Sequence, residues 1–252
     1  MFAARQGFYP PAIATGGYGN SAFWSSSSTT QFRLSTTSAT NLITWKATTG
    51  YTIEYWVYPT AWPGTINPGP GNQDGGGTNY WSFGPAQTGR LEFYYWGPGT
   101  NNISTADNTL TLNAWQYICM VVTTTGSNAT ISFYVNGTRR QCRLGSNTPT
   151  DTVTVSNGAV STGAPFLMGA YGSNKWTNLF MDNLRVSNIN RYSGASHAVP
   201  TQPFTSDANT QLLMICDGAN NSSTFTDSSS FNRTITNTSN NVRISDARAN
   251  HS

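Results

Sequence analysis

The sequence predicts an all-β protein, a two-sheet antiparallel jelly-roll sandwich, on three observations. Short runs rich in Val, Ile, Thr, Tyr, Phe and Trp recur between clusters of Gly, Pro, Asn and Ser. No stretch of ten or more residues carries a helical period of apolar positions. Several runs are apolar on both faces, as strands inside a packed pair of sheets would be, and a closed barrel is the alternative.

In chain order, residues 1–20 are rich in Gly, Pro and Ala without periodicity and read as an N-terminal arm. The main domain is placed at residues 21–217. In "YTIEYWVYP" (51–59), Tyr51, Ile53, Tyr55 and Val57 share one face, and Thr52, Glu54, Trp56 and Tyr58 the other. Pro59 ends that strand because it has no N–H for the ladder. Residues 59–79, rich in Gly, Pro and Asn, read as one loop of unusual length, and loops beyond about 12–15 residues are usually functional or disordered.

Further strands are predicted at "YWSFG" (80–84), "RLEFYYW" (90–96), "WQYICMVV" (115–122), "TISFYVNG" (130–137) and "TRRQCRL" (138–144). Asn136-Gly137 marks a tight hairpin between the last two, since both residues accept the positive φ of a type I′ turn. "FLMGAY" (166–171), "NLFMDNLRVS" (178–187) and "QLLMIC" (211–216) complete the set. Residues 218–252 hold weaker strand patterns and read as a tail that packs on the domain or on a neighbouring subunit.

A chain of 252 residues can bury a sizeable core. Charged residues make up 9% of it, against about 25% in ordinary soluble domains. The surface is therefore polar but largely uncharged. The net charge of +3 comes from scattered residues, with "TRRQCR" (138–143) the one basic cluster. Alternation along a strand divides that cluster between two faces, so no nucleic-acid partner is expected. No apolar run approaches the roughly 18 residues of a membrane helix, and the opening segment, broken by Pro-Pro, is not a secretion signal of the usual kind. The sequons at Asn102, Asn128, Asn136, Asn221 and Asn232 are read as unglycosylated.

Cys119, Cys142 and Cys216 form no metal-binding spacing. Cys119 lies in the apolar run "YICMVV" and reads as a small buried hydrophobe, and a Cys142–Cys216 disulfide is left open.

Four blocks in order resemble a known family: "YTIEYWVYP" (51–59), "NAWQYICMVV" with "ISFYVNG" (113–137), "FLMGAYGSNKWTNLFMDNLRVSNINRY" (166–192) and "PTQPFTSDANTQLLMICDG" (200–218). They are similar to laminin-G-like modules of the concanavalin-A-like sandwich, in the version found in viral and phage structural proteins. The segment 216–245 resembles the linker that leads from one module to the next in tandem versions. The resemblance implies a laminin-G-like domain over residues 21–217.

The same sandwich hosts glycoside hydrolases, which need two carboxylates about 5–5.5 Å or 6.5–9.5 Å apart. Glu54, Glu92 and Asp182 each stand alone in their strands, with no E-x-D or E-x-E pair. His197 and His251 lie away from the strand blocks, and there is no GxSxG elbow. No enzymatic activity, no metal and no cofactor is expected. The resemblance implies a structural role for Asp182, since the family carries an acid at that place in the strand, with Arg185 as a same-face partner; a calcium ligand is the alternative, although an all-protein calcium cage needs several oxygen ligands and no acids cluster around it.

Aromatics in or beside loops are the remaining candidates, since their faces stack on sugar rings. Trp62, Trp96 and Trp176 are singled out as carbohydrate-binding because Pro, Gly, Asn or Lys flank each of them. The expected function is a non-enzymatic phage virion protein, a capsid decoration or a tail or fibre component. It would sit on the particle surface as a homo-oligomer, touching other virion proteins and host-surface glycans. A soluble carbohydrate-binding lectin is the alternative, and a glycan-degrading enzyme is the third reading.

Overall fold

In the computed structural model, the described residues are 19–24, 34–36, 50–64, 69–72, 80–97, 99–156, 166–168, 170–171, 174–175, 179–237 and 242–250. The Val-, Thr- and aromatic-rich runs become strands because branched and aromatic side chains pack well on a pleated surface. They begin with β1 (Gly19–Trp24), β2 (Leu34–Thr36), β3 (Tyr51–Pro59), β4 (Gly71–Asn72), β5 (Tyr80–Pro85), β6 (Leu91–Gly97) and β7 (Gly99–Thr105). The hairpin β8 (Gln116–Thr125) and β9 (Asn128–Val135) follows, then β10 (Thr138–Arg140), β11 (Cys142–Leu144) and β12 (Val153–Ser156). The last are β13 (Phe166–Met168), β14 (Ala170–Tyr171), β15 (Asn174–Lys175), β16 (Leu179–Ser187), β17 (Thr210–Met214), β18 (Ile235–Asn237) and β19 (Val242–Asn250).

One sheet of nine strands runs β10-β9-β8-β3-β16-β1-β19, with β12 beside β9 and β17 beside β16. A second of eight runs β11-β7-β6-β5-β4-β13-β2-β18. The pairings are antiparallel throughout, and β14 and β15 form a small separate ribbon.

Tyr51, Ile53, Tyr55 and Val57 of β3 face the second sheet, as the alternation predicts, and meet Trp81, Phe83, Phe93 and Phe166 in one core. Tyr55 and Phe83 pack edge to face at 5.9 Å across the two layers, and the Tyr55 hydroxyl donates to Phe83 O at 3.0 Å. Cys119, Cys142 and Cys216 are buried free thiols, so the disulfide left open by the sequence is not formed.

The hairpin at Asn136-Gly137 has φ of 49° and 73° and sets Val135 opposite Thr138. Gly137 is needed twice over, for its positive φ and because a Cβ there would stand 2.3 Å from His197 O. Gly137→Ala is therefore expected to cost about 2 kcal/mol by urea denaturation, and a loss under about 0.5 kcal/mol would contradict the crowding.

Three expectations are corrected. "TRRQCRL" is not one strand: β10 belongs to the nine-stranded sheet and β11 to the eight-stranded one, so the chain changes layers at Gln141. Residues 59–79 are not one uninterrupted loop, because β4 lies within them, between β5 and β13. Gly71 permits that approach, since a Cβ there would stand 2.0 Å from Trp81 O. Arg185, read as the partner of Asp182, gives its guanidinium to Glu54 of β3 at 2.8 Å.

A β-bulge explains the last point. The register between β16 and β3 shifts between Asp182, opposite Trp56, and Arg185, opposite Glu54, and Asn183 takes φ 53° within the shift. Leu179, Met181, Leu184 and Val186 thereby all reach the core, and Arg185 turns outward beside Glu54.

Candidate functional site

Three places gather the polar side chains that a site could use. The first lies on the outer face of the nine-stranded sheet, where the chain after β16 crosses back over β3, β8 and β9. The crossing is tied down by Thr52, whose hydroxyl donates to Ile189 O at 2.8 Å and accepts from Arg191 N at 2.9 Å. Beneath it Glu54 is fully buried, with Arg185 Nε and Nη2 each 2.8 Å from its Oε1. Its Oε2 accepts from the Tyr192 hydroxyl at 2.9 Å and from the Tyr117 hydroxyl in a short bond. Burial and the Glu54 charge push both phenols well above the usual tyrosine range, so they remain hydrogen-bond donors.

His197, which the sequence placed away from the strands, stacks on Tyr192 at 3.7 Å and 6° and packs on Tyr134 at 5.0 Å. Its Nδ1 lies 3.0 Å from Ala198 O, and burial lowers its pKa. Arg139 anchors the same crossing, donating to Ser193 O at 2.5 Å and Gly194 O at 2.6 Å. This constellation of Glu, His, Tyr and Arg has the composition of an acid–base site, but its carboxylate is sealed from solvent and already holds four donor groups. It is a latch that fastens the crossing segment to the sheet. Sequence spacing gives no sign of it, because Tyr192 is 138 residues from the Glu54 it binds.

The second place is the outward row of the eight-stranded sheet. Glu92 stands opposite Ser104 on β7 and is buried, and Asn102 Nδ2 donates to its Oε2 at 2.7 Å. Trp96 is on the same strand, paired with Tyr80 and Thr100; its side chain lies outside the described residues. Trp176 also lies outside them.

The third is one end of the sandwich, where the turns at 60–64, 86–90 and 106–113 meet. Backbone bonds from Asn108 N to Thr88 O, Leu110 N to Gly89 O and Asn113 N to Pro59 O, each 2.8 Å, fasten these turns together. Trp62 is half-buried there, packed on the core and against Gly89, where a Cβ would stand 3.0 Å from its Cζ2. Thr88 takes φ 61°, uncommon for a β-branched residue, and its hydroxyl donates to Asp107 Oδ1 at 2.5 Å. Arg90 Nε stands 3.6 Å from the same oxygen.

A cavity of ≈ 200 Å³ also lies beside the tail, lined in part by Cys216, Asp217, Phe225 and Ile244. Burial raises the Asp217 pKa. Among the described residues no three His, Cys, Asp or Glu side chains gather as metal ligands would.

Residues 26–193 match a laminin-G family model described as the concanavalin A-like lectin/glucanases superfamily. The chain belongs to this superfamily. Its sandwich resembles a heptameric SAP-like pentraxin from Limulus polyphemus, at 16% identity and TM-score 0.43, over 69% of this chain and 78% of that one. It also resembles a Bacteroides ovatus protein described as carbohydrate binding, at 13% identity and TM-score 0.48, with 92% of this chain and 61% of that chain covered. Domain 4 of a Geobacillus stearothermophilus extracellular arabinanase, solved with arabinotriose, matches at 17% identity and TM-score 0.35, over 61% and 66% of the two chains. The chain thus spans less than two thirds of the last two. A search of curated proteins gave no match.

Within this superfamily fold, the acids singled out by sequence divide by sheet. Glu54 and Asp182 lie on adjacent strands of one sheet, and Glu92 lies in the other. The sequence pattern marked each acid as single but could not assign it to a layer.

Proposed function

We propose that the protein is a non-enzymatic recognition module that contacts glycans and is carried on the surface of a phage particle, as a capsid decoration or a tail or fibre component. The observation that carries the non-enzymatic part is the state of Glu54. A general acid or nucleophile must reach its substrate, and this carboxylate is fully buried under Arg185, Tyr117 and Tyr192. Glycan contact is supported by superfamily membership, a low-charge surface and the half-buried Trp62 among polar turns. The virion setting rests on the four sequence blocks, which resemble viral and phage versions of the module. Assembly in the host cytoplasm as a symmetric homo-oligomer, alongside other virion proteins, is part of the same reading.

Two measurements test it. Mass spectrometry of purified phage particles is expected to find the chain, at high copy for a decoration protein and low copy for a tail or fibre. Absence from the particles removes the virion setting and leaves a soluble glycan-binding module. A glycan array is expected to give binding without reducing-sugar release; a blank array removes glycan contact, and sugar release removes the non-enzymatic assignment.

A further inference from the structure

We infer that the end of the sandwich formed by Trp62, Gln87, Thr88, Arg90 and Asp107 is a binding site for a neutral sugar presenting adjacent hydroxyls. The inference rests on the glycan-binding reading above and names the place and the ligand class.

Four observations point to this end. Trp62 is a large aromatic held half-buried at the surface, packed on the core and on Gly89, where an added Cβ would stand 2.8 Å from Leu110 O and 3.0 Å from the indole. The polar groups beside it come from two different turns, and backbone bonds at 2.8 Å make those turns one rigid unit. With the Gln87 amide set by its hydrogen bonds, its nitrogen donates to Gly64 O at 3.0 Å and its oxygen accepts from Arg90 Nη2 at 3.1 Å. The turn that carries Trp62 is thereby tied to the one that carries Arg90. Finally, Thr88 holds a positive φ that brings its hydroxyl to Asp107, and the Asp107 side chain is 56% exposed.

The charges select the ligand. Arg90 and Asp107 cancel at 3.6 Å, so this end attracts neither anions nor cations over long range. At short range, the exposed carboxylate accepts from a hydroxyl, the guanidinium donates to a neighbouring oxygen, and the Thr88 hydroxyl, whose proton goes to Asp107, accepts. Adjacent hydroxyls on a sugar ring alternate as donor and acceptor in the same way. The apolar face of such a ring matches an indole, the pairing of an apolar wall with a few fixed polar groups found in small-molecule sites. A rigid platform also lowers the ordering cost of binding.

The test uses the full chain and a panel of soluble cello-, malto-, xylo- and manno-oligosaccharides, with polygalacturonate as the anionic comparison. In amide NMR titrations, a neutral oligosaccharide is expected to shift resonances in 62–64, 86–90 and 106–109, with polygalacturonate no better. Trp62→Ala, which removes the stacking face, and Asp107→Asn, which removes a charged acceptor, are each expected to weaken that binding roughly tenfold, about 1.4 kcal/mol. Asp107→Asn keeps shape and packing, so an unchanged unfolding midpoint in that variant separates lost binding from lost folding. Shifts confined to another face, or full affinity in both variants, overturn this site while leaving glycan recognition standing. No binding to the panel or to a broad glycan array overturns both.

Discussion

Replacing Glu54 with alanine is expected to remove about 3–5 kcal/mol of stability, the range for breaking a buried ion pair by deleting one partner. Glu54 is the only group in its cluster that accepts from Arg185, Tyr117 and Tyr192 together. Its loss strands a half-buried guanidinium against the Phe204 ring, 4.1 Å from its centroid, and leaves two phenols without their acceptor. The crossing segment over β3, β8 and β9 should loosen first, because Tyr192 and Arg191 anchor it there. Urea denaturation measures the total, and amide exchange at 189–198 reports the local release. Glu54→Gln, which keeps an acceptor oxygen, should cost less than alanine. A loss below about 1 kcal/mol for alanine would mean that the latch contributes little beyond its own desolvation.

The tail holds the second large effect. Asp227 is buried and acts as a piece of strand: its Oδ1 accepts from Leu213 N at 3.0 Å and Ser229 N at 2.9 Å, and its Oδ2 from Arg233 N at 2.9 Å. Ser228 N completes the pairing by donating to Leu213 O at 2.7 Å. Beyond this clasp the chain forms β18 on the edge of one sheet and β19 on the edge of the other, beside β1. Val242 and Ile244 of β19 and Phe225 enter the core. Asp227→Ala is expected to cost about 3 kcal/mol, since each unsatisfied buried amide costs about 1–3 kcal/mol. Exchange in β19 should rise with it. Ending the chain after Asp217 removes three core side chains, each contributing about 1.5–3 kcal/mol of burial, out of a total stability of about 5–15 kcal/mol. The shortened protein should therefore lose cooperative unfolding near the native midpoint. An unchanged midpoint would show that the tail is an appendage and not part of the sandwich.

Much of the architecture was legible locally. The β3 alternation, the Asn136-Gly137 hairpin and the burial of Cys119 follow from residue periods and turn preferences that act over a few positions. Other strands were not legible. β7 reads as Gly, Thr and Asn with one apolar residue, Ile103, and becomes a strand because β6 and β11 pair with it on either side. β12 is four residues long and is ordered by β9. The long loop concealed β4, whose single glycine contact depends on a neighbour ten or more residues away.

The candidate site was legible only as a residue type. Aromatics beside turns were the class the sequence offered, and Trp62 lies where two polar turns converge; nothing in its flanking residues named Arg90 or Asp107, which sit on turns joined to each other by backbone bonds. Arg185 shows the same limit: one bulge residue, Asn183, resets the register and turns the guanidinium towards Glu54, 131 positions away.

The sequence by itself determined the all-β class, the two-faced strands, the hairpin and the isolation of each acid within its own strand. These depend on side-chain alternation and turn chemistry, which are local properties of the chain. Only the tertiary structure decided which charges meet, which sheet each strand joins and how the tail closes both edges. Those outcomes depend on burying charge and backbone without leaving partners unmet, a condition set by residues far apart in sequence and adjacent only after folding.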